Sequence, residues 1–378
     1  MTTPPLGLYV HIPFCRQRCD FCAFYLEIHR EGRARNFVQS LIQEIALSAH
    51  AHEVQHRAIQ SVYFGGGTPT MLAPTQLTAI LSAIRTHLTI ESNCEITVEA
   101  HPSTVSAEDL VQLRHAGVTR ISIGAESMED GDLVQIGRPG LVHETVTAVS
   151  HARSAGFTNI NLDLMYGLPG QSLDSWQRTL THCIALAPTH LSPYALTVEE
   201  DTKLASRITR QLTPPPDEGL QIEMDEVTQD ILGHAGYERY EVSNYAKPGF
   251  SCRHNLLYWT NGEYLGFGPS AQSYLGGARF GTVADLPAYD ASLATRRLPI
   301  EDYTRLSDEE QLRDSVVFGL RLIQGIPSHR LHQHAVNYGR TGITAQLFEQ
   351  LLIEEDGERS RLSARGLLQA DTIAAQLY

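Results

Sequence analysis

Positive charge is in deficit along this 378-residue chain: 29 Lys and Arg face 43 Asp and Glu, a net charge of −14. A nucleic-acid footprint needs the opposite balance, which leaves room for no more than a local basic patch. Runs of like charge are absent, and no stretch approaches the ~18 consecutive apolar residues needed to cross a bilayer, so no membrane span is expected. The first residues, MTTPPLGLYVHIPFC, carry neither a basic start nor an apolar stretch followed by a small-residue cleavage site. They do not read as a secretory signal, and the expected compartment is the cytoplasm. Cysteine is sparse as well, with six in all. In a reducing compartment a cluster of cysteines is better explained by metal binding than by disulfides.

What is present is an ordinary globular composition, 42% apolar and 19% charged, in a chain long enough for one barrel-sized domain and a smaller one. Six β-rich runs predict strands at LYVHI (8–12), SVYFG (61–65), EITVEA (95–100), TRISIG (119–124), INLDLM (160–165) and LSPYAL (191–196). Helical stretches separate them, such as 34–49, where Phe37, Leu41, Ile45 and Ala49 recur every four residues along one face. Repeated β-α-β crossovers give an α/β fold, either a doubly wound sheet or a full or partial barrel, with functional loops at the carboxyl ends of the strands. After TPPPDEGL (213–220) a helix is expected over about 217–234, and a glycine- and aromatic-rich region follows. A last helix opens with Ser307 and Glu310 as a capping box, carries Leu312, Val316, Leu320 and Ile323 as a stripe, and has Gly325 as its stop. The expected units are 1–235, 236–300 and 301–378.

Three of the cysteines, Cys15, Cys19 and Cys22, fall on one loop with the spacing Cys-x3-Cys-x2-Cys. Such a loop wraps three thiolates around one side of a metal centre, where zinc and iron-sulfur cubes usually take four ligands. No fourth cysteine or histidine follows closely. Two readings stand: a [4Fe-4S] cluster with one open iron, or a zinc knuckle completed by a distant His or by Cys252.

The loop YVHIPFCRQRCDFC resembles that of the radical S-adenosylmethionine (SAM) enzymes, in particular the oxygen-independent coproporphyrinogen III oxidase-like family and its HemW-like, heme chaperone branch. The resemblance implies a partial (β/α)6 radical SAM barrel with a small, mostly helical carboxyl-terminal domain. It also implies that Cys15, Cys19 and Cys22 hold a [4Fe-4S] cluster whose open iron binds SAM. In that chemistry an electron from the cluster cleaves SAM to a 5′-deoxyadenosyl radical. FGGGTPT matches the family's GGGTP segment and carries over Gly66, Gly67 and Thr68 as SAM partners. Glu99 in VEAHP matches an acidic position near the SAM amino group or ribose, while Asp163 and Ala195 match further SAM-side positions. Tyr9, His11 and Phe21 match positions that line the site. ISIGAESM resembles the family's ISIG(V)QSF, with Glu126 for the usual Gln and Met128 for Phe. Arg138 matches a family arginine suited to neutralise a carboxylate of SAM or Glu126, although Pro139-Gly140 replaces the following Ile-His.

The resemblance continues through HNLLYW, where His254, Asn255, Tyr258 and Trp259 match a heme-associated HNxxYW motif, and into the tail, so that it covers nearly the whole chain. His254 would ligate heme iron, with the aromatics packed by the macrocycle. The alternative is that these residues close the barrel, with the histidine hydrogen-bonded inside it. The implied partners are heme or a porphyrin, a heme-acceptor protein, and an electron donor such as a flavodoxin or ferredoxin. Coproporphyrinogen III dehydrogenation and a related methyltransfer or cyclopropanation are the enzymatic alternatives, and a non-catalytic zinc-binding barrel is the bland one. Phe24, where the dehydrogenases have a further cysteine, and the short segment before the loop favour the heme chaperone branch.

Overall fold

Alternate residues of the six expected strands face two different environments, and this alternation organises the molecule. In the computed structural model, which describes residues 5–378, the strands are β1 (Leu6–Ile12), β2 (Ala58–Gly66), β3 (Thr89–Ala100), β4 (Arg120–Glu126), β5 (Asn159–Tyr166) and β6 (His190–Ala195). They pair in parallel in that order. One face is aliphatic: Leu8, Val10 and Ile12 on β1, Val62 and Phe64 on β2, Val98 on β3, Ile121 and Ile123 on β4 and Leu162 and Leu164 on β5 are all buried. It packs into the main apolar core with Phe37, Leu41, Ile45 and Ala49 from the helix Glu31–Ala51. The period of two in the strands and the four-residue stripe in the helix are the two halves of one interface.

The opposite face is polar and points into the barrel. Tyr9, Ser61, Tyr63, Thr97, Glu99, Arg120, Ser122, Asn161, Asp163, His190 and Ser192 alternate with the aliphatic set. Such an interior needs internal bonding, because buried polar groups without partners are costly. Asn161 Nδ2 donates to Ser122 Oγ at 2.7 Å and to Asp163 Oδ1 at 2.8 Å, and its Oδ1 is bonded to His190 Nδ1 at 2.6 Å.

The expected alternation of strands and helices is therefore present, and the barrel is partial. Six parallel strands form the centre of a twelve-stranded sheet that does not close. The region after 235 extends both edges. Asn244–Ala246 and Glu238–Glu241 add antiparallel strands beyond β6. On the other side Tyr264–Phe267 pairs in parallel with β1, and three antiparallel strands follow it.

In the tail, Ser307 and Glu310 form the expected reciprocal cap of the helix Asp308–Gly319. This helix stops earlier than the stripe suggested. Leu320 is its C-cap, Ile323 lies beyond it, and Gly325, at φ 64°, turns the chain into a short strand, Ile326–Pro327. That strand belongs to a three-stranded sheet with Arg359–Leu362 and Ile353–Glu355, so the tail is helical with a small sheet. It has its own apolar cluster around Val316, Leu331, Leu347 and Ile373. No helix among the described residues is long and apolar enough to cross a membrane.

Candidate cofactor site

At the carboxyl ends of the strands a cavity of about 490 Å³ opens to solvent. Cys15, Cys19, Cys22, Phe21, Gly66, Gly67, Thr68, Glu99, Glu126, Arg138 and Asp163 all line it. These residues come from the carboxyl-terminal parts of strands β2 to β5 and the connections that follow β1, β2 and β4, and the parallel sheet brings them together because these strand ends share one edge.

The cysteine loop is anchored at both ends. Pairing of Phe14–Cys15 with Glu27–Ile28 closes its base, and Arg18 donates to the Cys22 carbonyl at 3.1 Å. The Asp20 backbone accepts from Leu204 at 2.8 Å, and its carboxylate pairs with Arg207 at 3.0 Å. On the facing side Thr68 Oγ1 lies 3.5 Å from Cys15 Sγ. Gly66 adopts φ 107°, and a Cβ there would fall 2.6 Å from the His11 ring; one on Gly67 would fall 2.8 Å from the Phe14 carbonyl. The glycines let this turn lie against the loop.

Burial pushes all three thiols up, Cys19 to about 11. A bound metal would hold them as thiolates. Among the described residues no three His, Cys, Asp or Glu side chains are gathered closely enough to grip a single ion. The completing ligands of the zinc reading also lie elsewhere: Cys252 is fully buried, with Sγ 3.4 Å from Glu95 Oε1. His101 lines the cavity, but its Nε2 is bonded to the Pro139 carbonyl at 3.0 Å and its Nδ1 accepts from Ser103. Three soft donors without a fourth, spread around an open cavity, fit a polynuclear cluster with one free position.

Glu99 accepts from Tyr63 Oη at 2.7 Å, and burial together with the nearby Asp163 pushes its pKa to about 8. Asp163 is raised by burial too, opposed by the Arg120 charge and by bonds from Ser122 and Asn161. Arg120, 1% exposed, stands below this carboxylate pair.

Three expected positions are not in the cavity wall. Tyr9 and His11 lie beneath it, bonded to each other at 3.2 Å, with His11 Nε2 on the Tyr25 carbonyl. Their inward pleat on β1 puts the His11 ring under Gly66 and Tyr9 against Tyr63 and His254. Ala195 ends β6 on the exposed side, and its neighbour Tyr194 takes the wall position. Met165 lines the cavity as well; it sits two residues after Asp163, so strand alternation alone would have found it. Phe24, 67% exposed, stands at the rim.

The HNxxYW segment lies away from this cavity, toward the amino ends of the strands. His254 is 1% exposed, with Nδ1 bonded to Ser61 Oγ at 3.0 Å and Nε2 to Tyr258 Oη at 2.9 Å. Burial and the Arg120 charge lower its pKa to about 3. Its ring stacks on Tyr63 with centroids 5.2 Å apart. Trp259 lies under Arg321 at 4.7 Å, and Asn255 is half-buried on the same short helix. Both nitrogens of His254 are hydrogen-bonded here, and the residue lies inside the barrel.

Residues 9–183 match the Radical SAM superfamily. This defines the class: the fold is that of a radical SAM protein, a family that works with a [4Fe-4S] cluster and SAM. Over 100% of this chain and 96% of the relative, the sequence is 34% identical to the heme chaperone HemW of Mycobacterium tuberculosis. It is 34% identical to that of Bacillus subtilis, over 95% and 96% of the two chains, and 40% identical to that of Escherichia coli, over 71% and 70%. The chain belongs to the HemW family of radical SAM proteins. Among solved structures, coproporphyrinogen III oxidase from Escherichia coli matches with a TM-score of 0.86 at 24% identity, covering 100% of this chain and 91% of that one. That likeness shows the shared fold.

Proposed function

We propose that this protein is a cytoplasmic heme chaperone that holds a [4Fe-4S] cluster on Cys15, Cys19 and Cys22 and binds SAM across the strand ends. The observation that carries the reading is the convergence of the three cysteines with Gly66, Gly67, Thr68, Glu99, Glu126, Arg138 and Asp163 on one cavity. The names of the full-length relatives supply the heme.

When bound, the cluster supplies an open iron for the SAM amino and carboxylate groups and an electron for its sulfonium. The chain's own residues do the rest. Gly66 and Gly67 would offer backbone to the methionine end, and Arg138, paired here with Glu126, is the cation its carboxylate would meet. Glu99, kept protonated by its buried setting, offers a hydrogen-bond donor or a proton at its carboxyl oxygen. Asp163 accepts from the ligand's hydroxyls. The reading includes an acceptor protein for heme and a flavodoxin- or ferredoxin-like electron donor.

Anaerobic reconstitution tests it. The purified protein should take up four irons and four sulfides, bind SAM with a change in the cluster's electron paramagnetic resonance, and bind heme in a titration. Uptake of zinc in place of the cluster would overturn the radical SAM assignment. Turnover of coproporphyrinogen III without heme binding would move the protein to the dehydrogenase branch.

A further inference from the structure

The side chain that departs from the family's usual glutamine, Glu126, is placed with care. Strand pairing slips at the end of β4, from Gly124↔Asp163 to Glu126↔Leu164, and Glu126 adopts a left-handed φ of 61°. A non-glycine residue there is strained and needs support from its surroundings. The support is Arg138, whose Nη1 lies 3.2 Å from Glu126 Oε1, with the two side chains 9% and 15% exposed respectively. The other terminal nitrogen of Arg138 donates to the Gly124 carbonyl. A Cβ on Gly124 would stand 3.0 Å from that nitrogen and 3.3 Å from Glu126 Oε1, so the pair packs closely over this glycine. Both members face the cavity.

A buried guanidinium that already holds a carboxylate is not free for another. Parting the pair leaves a buried carboxylate short of its counter-charge, with Asp163 near enough to disfavour it further. We propose that Glu126 is an internal competitor at Arg138, occupying the guanidinium face that the SAM carboxylate takes and so setting SAM affinity in this chain. The inference rests on the SAM reading above. A glutamine at this position keeps the shape but makes a neutral, weaker hydrogen bond, and gives up the arginine more readily. The rival role, in which Glu126 accepts from the ribose hydroxyls, predicts the opposite sign.

Equilibrium dialysis of SAM and of 5′-methylthioadenosine, which has the adenosine and lacks the carboxylate, against the cluster-loaded full chain separates the two. Expected for Glu126→Gln is SAM binding tighter by roughly ten-fold with 5′-methylthioadenosine unchanged, while Glu126→Asp, which keeps the charge, stays close to the unaltered protein. Unchanged or weaker SAM binding by Glu126→Gln, or an equal gain for both ligands, overturns the competitor role alone. Failure of all three proteins to bind SAM removes the SAM reading and this inference with it.

Discussion

Tyr63 reaches from the interior of the barrel to donate a 2.7 Å hydrogen bond to Glu99 in the cavity wall, and its ring stacks at 5.2 Å on His254 below. One side chain thus joins the cofactor cavity to the buried HNxxYW segment. Tyr63→Phe keeps the stack and removes the donor, which leaves a buried carboxyl short of a partner. The expected cost is about 1–3 kcal/mol in chemical unfolding, together with weaker SAM binding. Loss of neither would show that the bond does not order the wall.

The Glu99 carboxyl, pushed to about 8 in the fold, makes stability depend on pH with a definite sign. Between the ordinary carboxylate value near 4.5 and about 8, the folded protein keeps a proton that the unfolded chain has lost. Stability from this group is therefore complete below the lower value and declines as pH rises through the window. Melting temperatures followed from about pH 5 to about pH 8 should fall less steeply for Glu99→Gln than for the unaltered protein. Parallel curves would place the Glu99 proton elsewhere.

Replacing Cys15, Cys19 or Cys22 singly by Ser should remove nearly all bound iron after reconstitution, because each supplies one of only three donors. Cys94, Cys183 and Cys252 are buried away from the cavity, and their Ser variants should keep iron and sulfide at the unaltered level. Iron retained by a loop variant, or lost in Cys252→Ser without unfolding, would contradict the assignment.

At Gly66 the backbone sits at φ 107° and an added Cβ meets the His11 ring at 2.6 Å. Gly66→Ala should cost about 1–3 kcal/mol from backbone strain alone and push the GGG turn off the cysteine loop. A melting temperature within error of the unaltered protein, with full SAM binding, would show that the turn relaxes freely.

His254→Ala removes a ring bonded to Ser61 and Tyr258 and leaves both hydroxyls inside the barrel. A loss of roughly 2–4 kcal/mol is expected from the cavity and the unpaired groups. Heme affinity, titrated at a temperature where the variant is still folded, should be unchanged. Selective loss of heme binding from a folded variant would assign His254 the role of iron ligand.

The motifs that survive unaltered from sequence to structure are those whose meaning is local. Cys15, Cys19 and Cys22 lie so close along the chain that they share one loop whatever surrounds them, and the strand and helix periods of LYVHI or of Phe37 to Ala49 follow from backbone geometry. Gly66 needs its freedom at one turn, and Ser307 with Glu310 cap a helix within four residues. The shared cysteine loop, the α/β alternation and the edge of the sheet where the cavity opens were therefore legible in the residues themselves.

Tertiary structure decided which neighbours share a space. Tyr9 and His11 stand two residues apart on the same inward face that sends Glu99 to the wall, yet His11 packs beneath Gly66 and Tyr9 against Tyr63 and His254, both outside the cavity lining. The slip after Gly124 turns Glu126 onto Arg138, and a period-two reading carries no information about such a bulge. His254 follows the Ser61 strand by nearly two hundred residues, and nothing in its own segment says that the chain returns to the amino ends of the strands. Local sequence determines a loop's ligands and a strand's faces because those depend on a few bonds; the end of the barrel at which a distant segment packs depends on the whole buried interface.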